Sequence, residues 1–152
     1  MTTTRRFEPA DDEWRQRTID SFERQPMMQT LGVEVVTIEP GAVTLSFKRD
    51  DRFAQQHGFM HAGSLTTLAD SACGWAALTL MPADHAVLTV SFTVNLLRPA
   101  DGERFTAHAM VVKPGRTLTV ADATVIADDA HDRPIATMTA TLMGVTDRGI
   151  TG

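Results

Sequence analysis

The feature that most constrains the fold is the segment Ala62–Leu80, which is apolar nearly all round and carries one charged residue, Asp70. A polar, glycine-containing turn from Gln55 to His61 precedes it. The pattern predicts a helix, and a helix that is apolar on every side belongs in the middle of a domain. A buried carboxylate is costly unless it is paired or protonated. Asp70 therefore needs either a partner or a function.

The face of this helix that carries Asp70 is built from small residues. At about 100° per residue, the large apolar side chains fall on the opposite face. The small face holds Gly63, Thr66, Thr67, Cys73, Gly74 and Ala77, and the opposite face holds Leu65, Leu68, Ala72 and Trp75. A ligand or another backbone can approach such a small face closely. Two interpretations are open: a catalytic carboxylate, or a structural one that is hydrogen-bonded to nearby threonines or to a facing strand.

Composition and charge exclude several classes of function. The 152 residues suffice for one core, with 43% hydrophobic residues and a formal net charge of −5. The sequence contains no lysine- or arginine-rich run of the kind that binds nucleic acids. The longest apolar stretch, Cys73–Met81, is too short to span a bilayer. Acidic residues rather than an apolar run follow Arg5-Arg6, which argues against a signal peptide, so we expect a cytoplasmic protein that does not bind membranes.

The chain divides near residue 30. We expect residues 1–30 to form a loose tail (1–8) and a covering helix, and residues 31–152 to form the main domain. The helix is predicted over Asp11–Gln25 and ends at Pro26. Its apolar contacts are Trp14, Ile19 and Phe22, and its predicted i,i+4 ion pairs are Glu13/Arg17 and Asp20/Arg24.

The remaining segments alternate in the manner of strands. Two strands flank the turn Glu39-Pro40-Gly41, and four more follow the central helix and are joined mostly by hairpins. The four are predicted at Val87–Leu97, Arg104–Val112, Leu118–Ala127 and Ile135–Val145. An antiparallel sheet that covers one very apolar helix must curl around it, which predicts an α+β domain.

Several short motifs lie in order on these elements. They are Gln55, Gly58, His61-Ala62-Gly63, Leu68-Ala69-Asp70, Arg98-Pro99-Ala100 and Lys113-Pro114-Gly115-Arg116. Over residues 30–145 the chain thereby resembles the hotdog fold, and more narrowly the PaaI-type acyl-CoA thioesterases. The resemblance implies hydrolysis of acyl- or aryl-acyl-CoA to free acid and CoA, with no cofactor, by a homodimer that assembles to a homotetramer. Gln55 replaces the family's Asn and Ala62 its Gly, and neither change removes a functional group.

The resemblance also implies roles for individual residues. Asp70 is the general base or attacks directly, and the Ala62 N–H polarises the thioester carbonyl. Gln55 holds the carbonyl or the water, and Thr89 orients the water. The substrate-binding residues are His57, His61, Gly63, Lys113, Gly115 and Arg116. Taken without the resemblance, Lys113 and Arg116 are better explained as solvated turn residues.

The spacing of Ala62 and Asp70 predicts how the site is assembled. Eight residues of helix separate them, which is about 12 Å along the axis. Reacting groups must lie within about 3 Å of their partners, so both cannot reach one carbonyl from the same chain. If both act, they come from two chains related by a twofold axis.

Other kinds of site are less well supported by the sequence. His57 and His61 could suggest a metal pair, but Gly58 opposes a helical His-x-x-x-His, so we expect no metal. Cys73 is the only cysteine and is interpreted as a small buried hydrophobe. A non-catalytic acyl-CoA-binding protein is the alternative function, although it would not need Asp70. A hotdog dehydratase would need a catalytic histidine elsewhere.

Overall fold

The computed structural model describes residues 6–150 and 152, in which a six-stranded antiparallel sheet packs around one long helix. The helices are α1 (Trp14–Glu23), α2 (Pro26–Leu31) and α3 (Ala62–Leu78), with a 3-10 turn at Asp51–Phe53. The strands are β1 (Glu34–Glu39), β2 (Ala42–Lys48), β3 (Ala86–Leu96), β4 (Arg104–Lys113), β5 (Leu118–Ala127) and β6 (Ala136–Val145). The predicted α+β class and central helix are confirmed.

The strand order of the sheet is β1-β2-β4-β5-β6-β3. Hairpins join β1 to β2, β4 to β5 and β5 to β6, but β3 pairs with β6 rather than with β4, which follows it in sequence. The chain therefore crosses over after β3. As a result, β3 is an edge strand of 11 residues.

The core lies between α3 and the sheet. Helix α3 packs against β2, β3, β4, β5 and β6, which is why it is apolar on most sides. Leu68 and Leu78 of α3 are fully buried. From the sheet, the rings of Phe47 and Phe105 meet at a centroid distance of 5.5 Å. This packing fixes the axis of α3 and hence the direction in which its small face points.

The N-terminal segment differs from the prediction. Pro26 not only ends the first helix but begins a second one, because proline is well suited to the first position of a helix. Gly32, at φ +69°, ends that helix in the left-handed region. Phe7 packs against the core, so it is not part of a loose tail. Residues 1–5 of the predicted tail lie outside the described residues.

Arg17 joins α1 to the end of α3. Its guanidinium pairs with Asp11 at 3.0 Å rather than with the predicted Glu13. It also donates to four backbone carbonyls, those of Leu78 (3.3 Å), Met81 (2.6 Å), Pro82 (2.8 Å) and His85 (3.1 Å). The last carbonyls of a helix lack partners within the helix. Arg17 supplies a partner to the carbonyl of Leu78, the last residue of α3, and to three carbonyls beyond it, and it thereby anchors the N-terminal helix to the main domain.

The described residues contain no helix that is both long and apolar enough to cross a membrane.

Candidate active site

The turn before α3 is held by its own backbone. The Gln55 N–H donates to the Phe59 carbonyl at 2.8 Å, and the Gly58 N–H donates to the Gln55 carbonyl at 3.0 Å. Gly58 has a φ of +88°, which a side chain would disfavour. The side-chain oxygen of Gln55 accepts a hydrogen bond from the His57 N–H. This contact leaves the side-chain NH₂ of Gln55 as the group that can donate to a ligand.

His61 is the N-cap of α3. Its Nδ1 accepts a hydrogen bond from the Gly63 N–H at 2.8 Å. Within residues 6–150, the adjacent Ala62 N–H has no hydrogen-bond partner. A free N–H at the positive end of a 17-residue helix suits an oxygen that gains negative charge.

Asp70 and Thr89 meet on the small face of α3. The Thr89 hydroxyl, on edge strand β3, donates to Oδ1 of Asp70 at 2.8 Å. Among the described residues nothing donates to Oδ2. Desolvation by burial raises the pKa of Asp70, and the hydrogen bond from Thr89 lowers it in part. The free oxygen is therefore a stronger base than that of an exposed aspartate.

Cys73 lies close to this carboxylate but is not a candidate nucleophile. It is fully buried in α3. Burial, together with the negative charges of Asp70 and Asp122, raises the pKa of its thiol to about 12. The thiol therefore stays protonated at neutral pH.

A cavity of about 590 Å³ opens beside the start of α3. We call it the first cavity. Gln55 and Ala62 line it on one side, and the end of β3 lines it on the other side through Leu96 and Leu97. Arg98, from the Arg-Pro-Ala motif, also lines it and donates to the Pro134 carbonyl at 2.6 Å. The predicted oxyanion donors thus face an open space of ligand size.

The structure distributes the remaining predicted residues along α3 rather than at one point. His57 is exposed at the turn before the helix. Lys113, Gly115 and Arg116 lie at the β4–β5 turn, and the last two line a cavity of about 280 Å³ at the carboxyl end of α3. Within one chain, the amide, carboxylate and basic groups therefore occupy the start, the middle and the end of the helix.

Two residues near the start of α3 were not predicted from the sequence. Met27 of α2 and Phe53 of the 3-10 turn line a further cavity there. They come from segments that carry no motif, and only the folded chain brings them to the helix. In the described part of the chain, no cluster of three or more His, Cys, Asp or Glu side chains could hold a metal ion.

Comparison with sequences of known proteins gives consistent results. The model of the thioesterase superfamily matches residues 57–132. A provisionally named esterase of Halobacterium salinarum is 33% identical over 115 residues, which cover 71% of this chain and 76% of the relative. A 1,4-dihydroxy-2-naphthoyl-CoA hydrolase of Listeria monocytogenes is 24% identical over 94 residues, which cover 62% of this chain and 76% of the relative.

Solved structures share the same architecture. A thioesterase family protein from Silicibacter pomeroyi is 57% identical with a TM-score of 0.84, covering 88% of this chain and 98% of that protein. The PaaI protein of the Escherichia coli phenylacetic acid degradation operon is 20% identical with a TM-score of 0.79, covering 88% and 94%, which supports the fold alone. The chain therefore has the hotdog fold and belongs to the thioesterase superfamily.

Proposed function

We propose that this thioesterase hydrolyses acyl-CoA to a free acid and coenzyme A. The observation that carries the proposal is the Asp70 carboxylate, half-buried and of raised pKa, with one oxygen held by Thr89 and the other free. The likeness to a CoA-thioester hydrolase of Listeria monocytogenes supports the substrate class.

The proposed reaction uses Asp70 in its charged form. The carboxylate either removes a proton from a water that Thr89 helps to orient or attacks the thioester carbon itself. The carbonyl oxygen becomes negative as the new C–O bond forms, and the Ala62 N–H and the Gln55 amide donate to it. In the first route the carbon–sulfur bond breaks, the free acid forms directly, and the leaving thiolate of coenzyme A takes up the proton that Asp70 removed from water. In the second route the thiolate leaves a mixed anhydride on Asp70, and water then hydrolyses this anhydride to the free acid and supplies the proton that the thiolate takes up.

We further propose that each site is shared by two subunits. Ala62 and Asp70 are about 12 Å apart along α3 and cannot both contact one carbonyl. Edge strand β3 supports a dimer contact, because the outer edge of a strand that pairs on one side only and exposes apolar residues invites pairing with a second copy. The exposed residues are Leu88, Val90, Phe92 and Leu96. In such a dimer, Ala62 would face the partner subunit's Asp70.

An antiparallel arrangement of the two α3 helices also gives the basic turn a role. The carboxyl end of one helix then extends about 12 Å beyond the start of the other. Lys113, Gly115 and Arg116 would contact the phosphates of a coenzyme A whose thioester lies at the partner's Ala62. His57, His61 and Gly63 would line the path of the substrate. We also propose that two dimers associate to a homotetramer and that the protein is cytoplasmic.

The test is hydrolysis of an acyl-CoA panel by the unmodified protein and by Asp70→Asn. We expect turnover to fall by about a hundredfold or more while acyl-CoA binding persists. Asp122→Asn is the matched control, because Asp122 accepts the same kind of bond from Thr139 (2.6 Å) but lies on the outer face of the sheet. Unchanged turnover in Asp70→Asn would remove Asp70 from the reaction. Binding without hydrolysis by the unmodified protein would favour the acyl-CoA-binding alternative.

A further inference from the structure

Two cavities lie on either side of the start of α3. The first cavity is lined by Ala62, a second cavity of about 400 Å³ is lined by Gly63, and His61 lines both. The wall between them is therefore the first turn of the helix, where the unpaired Ala62 N–H lies. A carbonyl bound at this amide would have one substituent directed to each side.

The second cavity is built mainly from apolar side chains that face small ones. Met27 and Leu31 of α2 and Phe53 of the 3-10 turn form one side. Gly63 and Thr67 of α3 form the opposite side. Position 63 has no room for a side chain beside His61, because a Cβ there would lie 3.0 Å from Nδ1 of the His61 ring.

The hydroxyls of this lining are already hydrogen-bonded, and its one charged side chain is ion-paired. The Ser64 hydroxyl donates to the His61 carbonyl at 2.7 Å, and the Thr67 hydroxyl donates to the Gly63 carbonyl at 2.8 Å. Arg52, the only charged side chain of the lining, is held by Asp50 at 2.6 Å. A charged ligand group would therefore meet no net opposite charge in a lining that is mainly apolar, whereas an apolar group would displace no hydrogen bond by entering.

We propose that this second cavity, the acyl chamber, binds the acyl group of the substrate and that Met27 sets the acyl length the enzyme accepts. The inference rests on the proposed acyl-CoA hydrolysis and names the substrate class: uncharged, apolar acyl groups. The coenzyme A arm then leaves through the first cavity, which carries the amide groups of Gln55 and Gln56 and the guanidinium of Arg98.

Met27 is placed to control length because it is the flexible side chain on the α2 side of the chamber. It is 51% exposed, whereas Leu31 beside it is buried. An acyl chain that grows past Leu31 would next contact Met27. Each methylene that still enters the chamber should raise kcat/KM by about fourfold, and the rise should stop where the chamber ends.

The experiment measures kcat/KM for linear acyl-CoAs of increasing length with the unmodified protein, Met27→Ala and Met27→Trp. The optimum should move to longer chains by about two carbons in Met27→Ala and to shorter chains in Met27→Trp. Met110→Ala and Met110→Trp are the matched controls, because Met110 is 55% exposed but lies in β4 and outside the chamber. Phe53→Ala enlarges the chamber at the 3-10 turn rather than at α2 and should also move the optimum to longer chains.

A second comparison tests whether the chamber disfavours a charged acyl group. Succinyl-CoA has the same four-carbon acyl length as butanoyl-CoA, with a carboxylate in place of the terminal methyl group, and we expect its kcat/KM to be at least about a hundredfold lower. Equal rates for the two would overturn the inference. The inference would also be overturned if the Met27, Phe53 and Met110 variants all shared one optimal acyl length. In that case, hydrolysis by the unmodified protein would still support the proposed function. Absence of hydrolysis by the unmodified protein on every acyl-CoA would overturn both.

Discussion

At the scale of single residues, the burial of Asp70 changes the pKa of its carboxyl group. Desolvation raises the pKa of its carboxyl group, and the 2.8 Å hydrogen bond from Thr89 lowers it. Because the folded pKa is raised, the charged form is less stable in the folded than in the unfolded chain. This cost is absent at pH values below the unfolded pKa of about 3.9 and grows as the pH rises toward the folded pKa. The same shift makes the carboxylate a better proton acceptor.

Removing the Thr89 hydroxyl should therefore change the pH dependence of hydrolysis. Thr89→Val deletes the one donor to the Asp70 carboxylate in the described residues, so the pKa of Asp70 should rise further. The acid limb of kcat/KM against pH should therefore move to higher pH. Thr93→Val, on the same strand, is the control and should leave the limb in place. An acid limb at the same pH in both variants would contradict the role of Thr89.

At the scale of elements, α3 depends on contacts made at its two ends. His61 caps its start and leaves the Ala62 N–H free. Arg17 of α1 satisfies carbonyls at and beyond its carboxyl end, and its side chain is only 12% exposed. The helix that carries the candidate oxyanion donor and carboxylate is thus held in position by an element outside the sheet.

Loss of Arg17 should destabilise the whole fold. Arg17→Ala leaves the buried Asp11 without its partner and several carbonyls without a donor, so the free energy of unfolding should fall by about 3 kcal/mol in urea denaturation. Arg17→Lys should recover little of it, because one ammonium cannot reproduce the planar fork of donors. Arg15→Ala is the matched control, since Arg15 makes one 3.5 Å contact with the Ile38 carbonyl. Equal losses from Arg17→Ala and Arg15→Ala would refute this account.

At the scale of the whole molecule, one chain does not bring the candidate groups together. The free amide at Ala62, the carboxylate of Asp70 and the basic turn at Arg116 lie at successive points along α3. Edge strand β3 runs beside Asp70 through Thr89 and exposes apolar side chains. Both observations support a site completed by a second copy.

Complementation between two inactive variants tests the shared site. Asp70→Asn should be inactive, and so should Ala62→Pro, which deletes the N–H but suits the first helical position. The preceding His61 has a ψ of 140°, which is compatible with a following proline. After subunit exchange, a heterodimer holds one site with both lesions and one with neither. Each heterodimer should therefore recover about half the activity of an unmodified dimer, and a fully exchanged equimolar mixture about a quarter, because about half of its dimers are heterodimers.

A mixture that stays inactive despite demonstrated subunit exchange would contradict the shared site. Mixing two samples of the same variant is the control and should restore nothing.

Local sequence patterns were sufficient for most elements. The apolar run from Ala62 predicted α3 with its observed start, and alternation with Gly- and Pro-containing turns predicted the strands to within one or two residues. The motifs were also sufficient to indicate the family. Periodicity and turn chemistry depend on neighbouring residues, so a single sequence reveals them. The roles of Asp70, Ala62 and Gln55 stay predictions.

Only the tertiary structure decided which distant segments meet. The sequence predicted strands joined mostly by hairpins, yet β3 lies at the edge beside β6. Arg17 pairs with Asp11 and the end of α3, although helical spacing favoured Glu13. Met27 reaches the start of α3 from α2, which begins at Pro26, where the sequence predicted only the end of the preceding helix. Strand order, buried ion pairs and cavities depend on how segments far apart in the chain bury one another, and no local pattern records that.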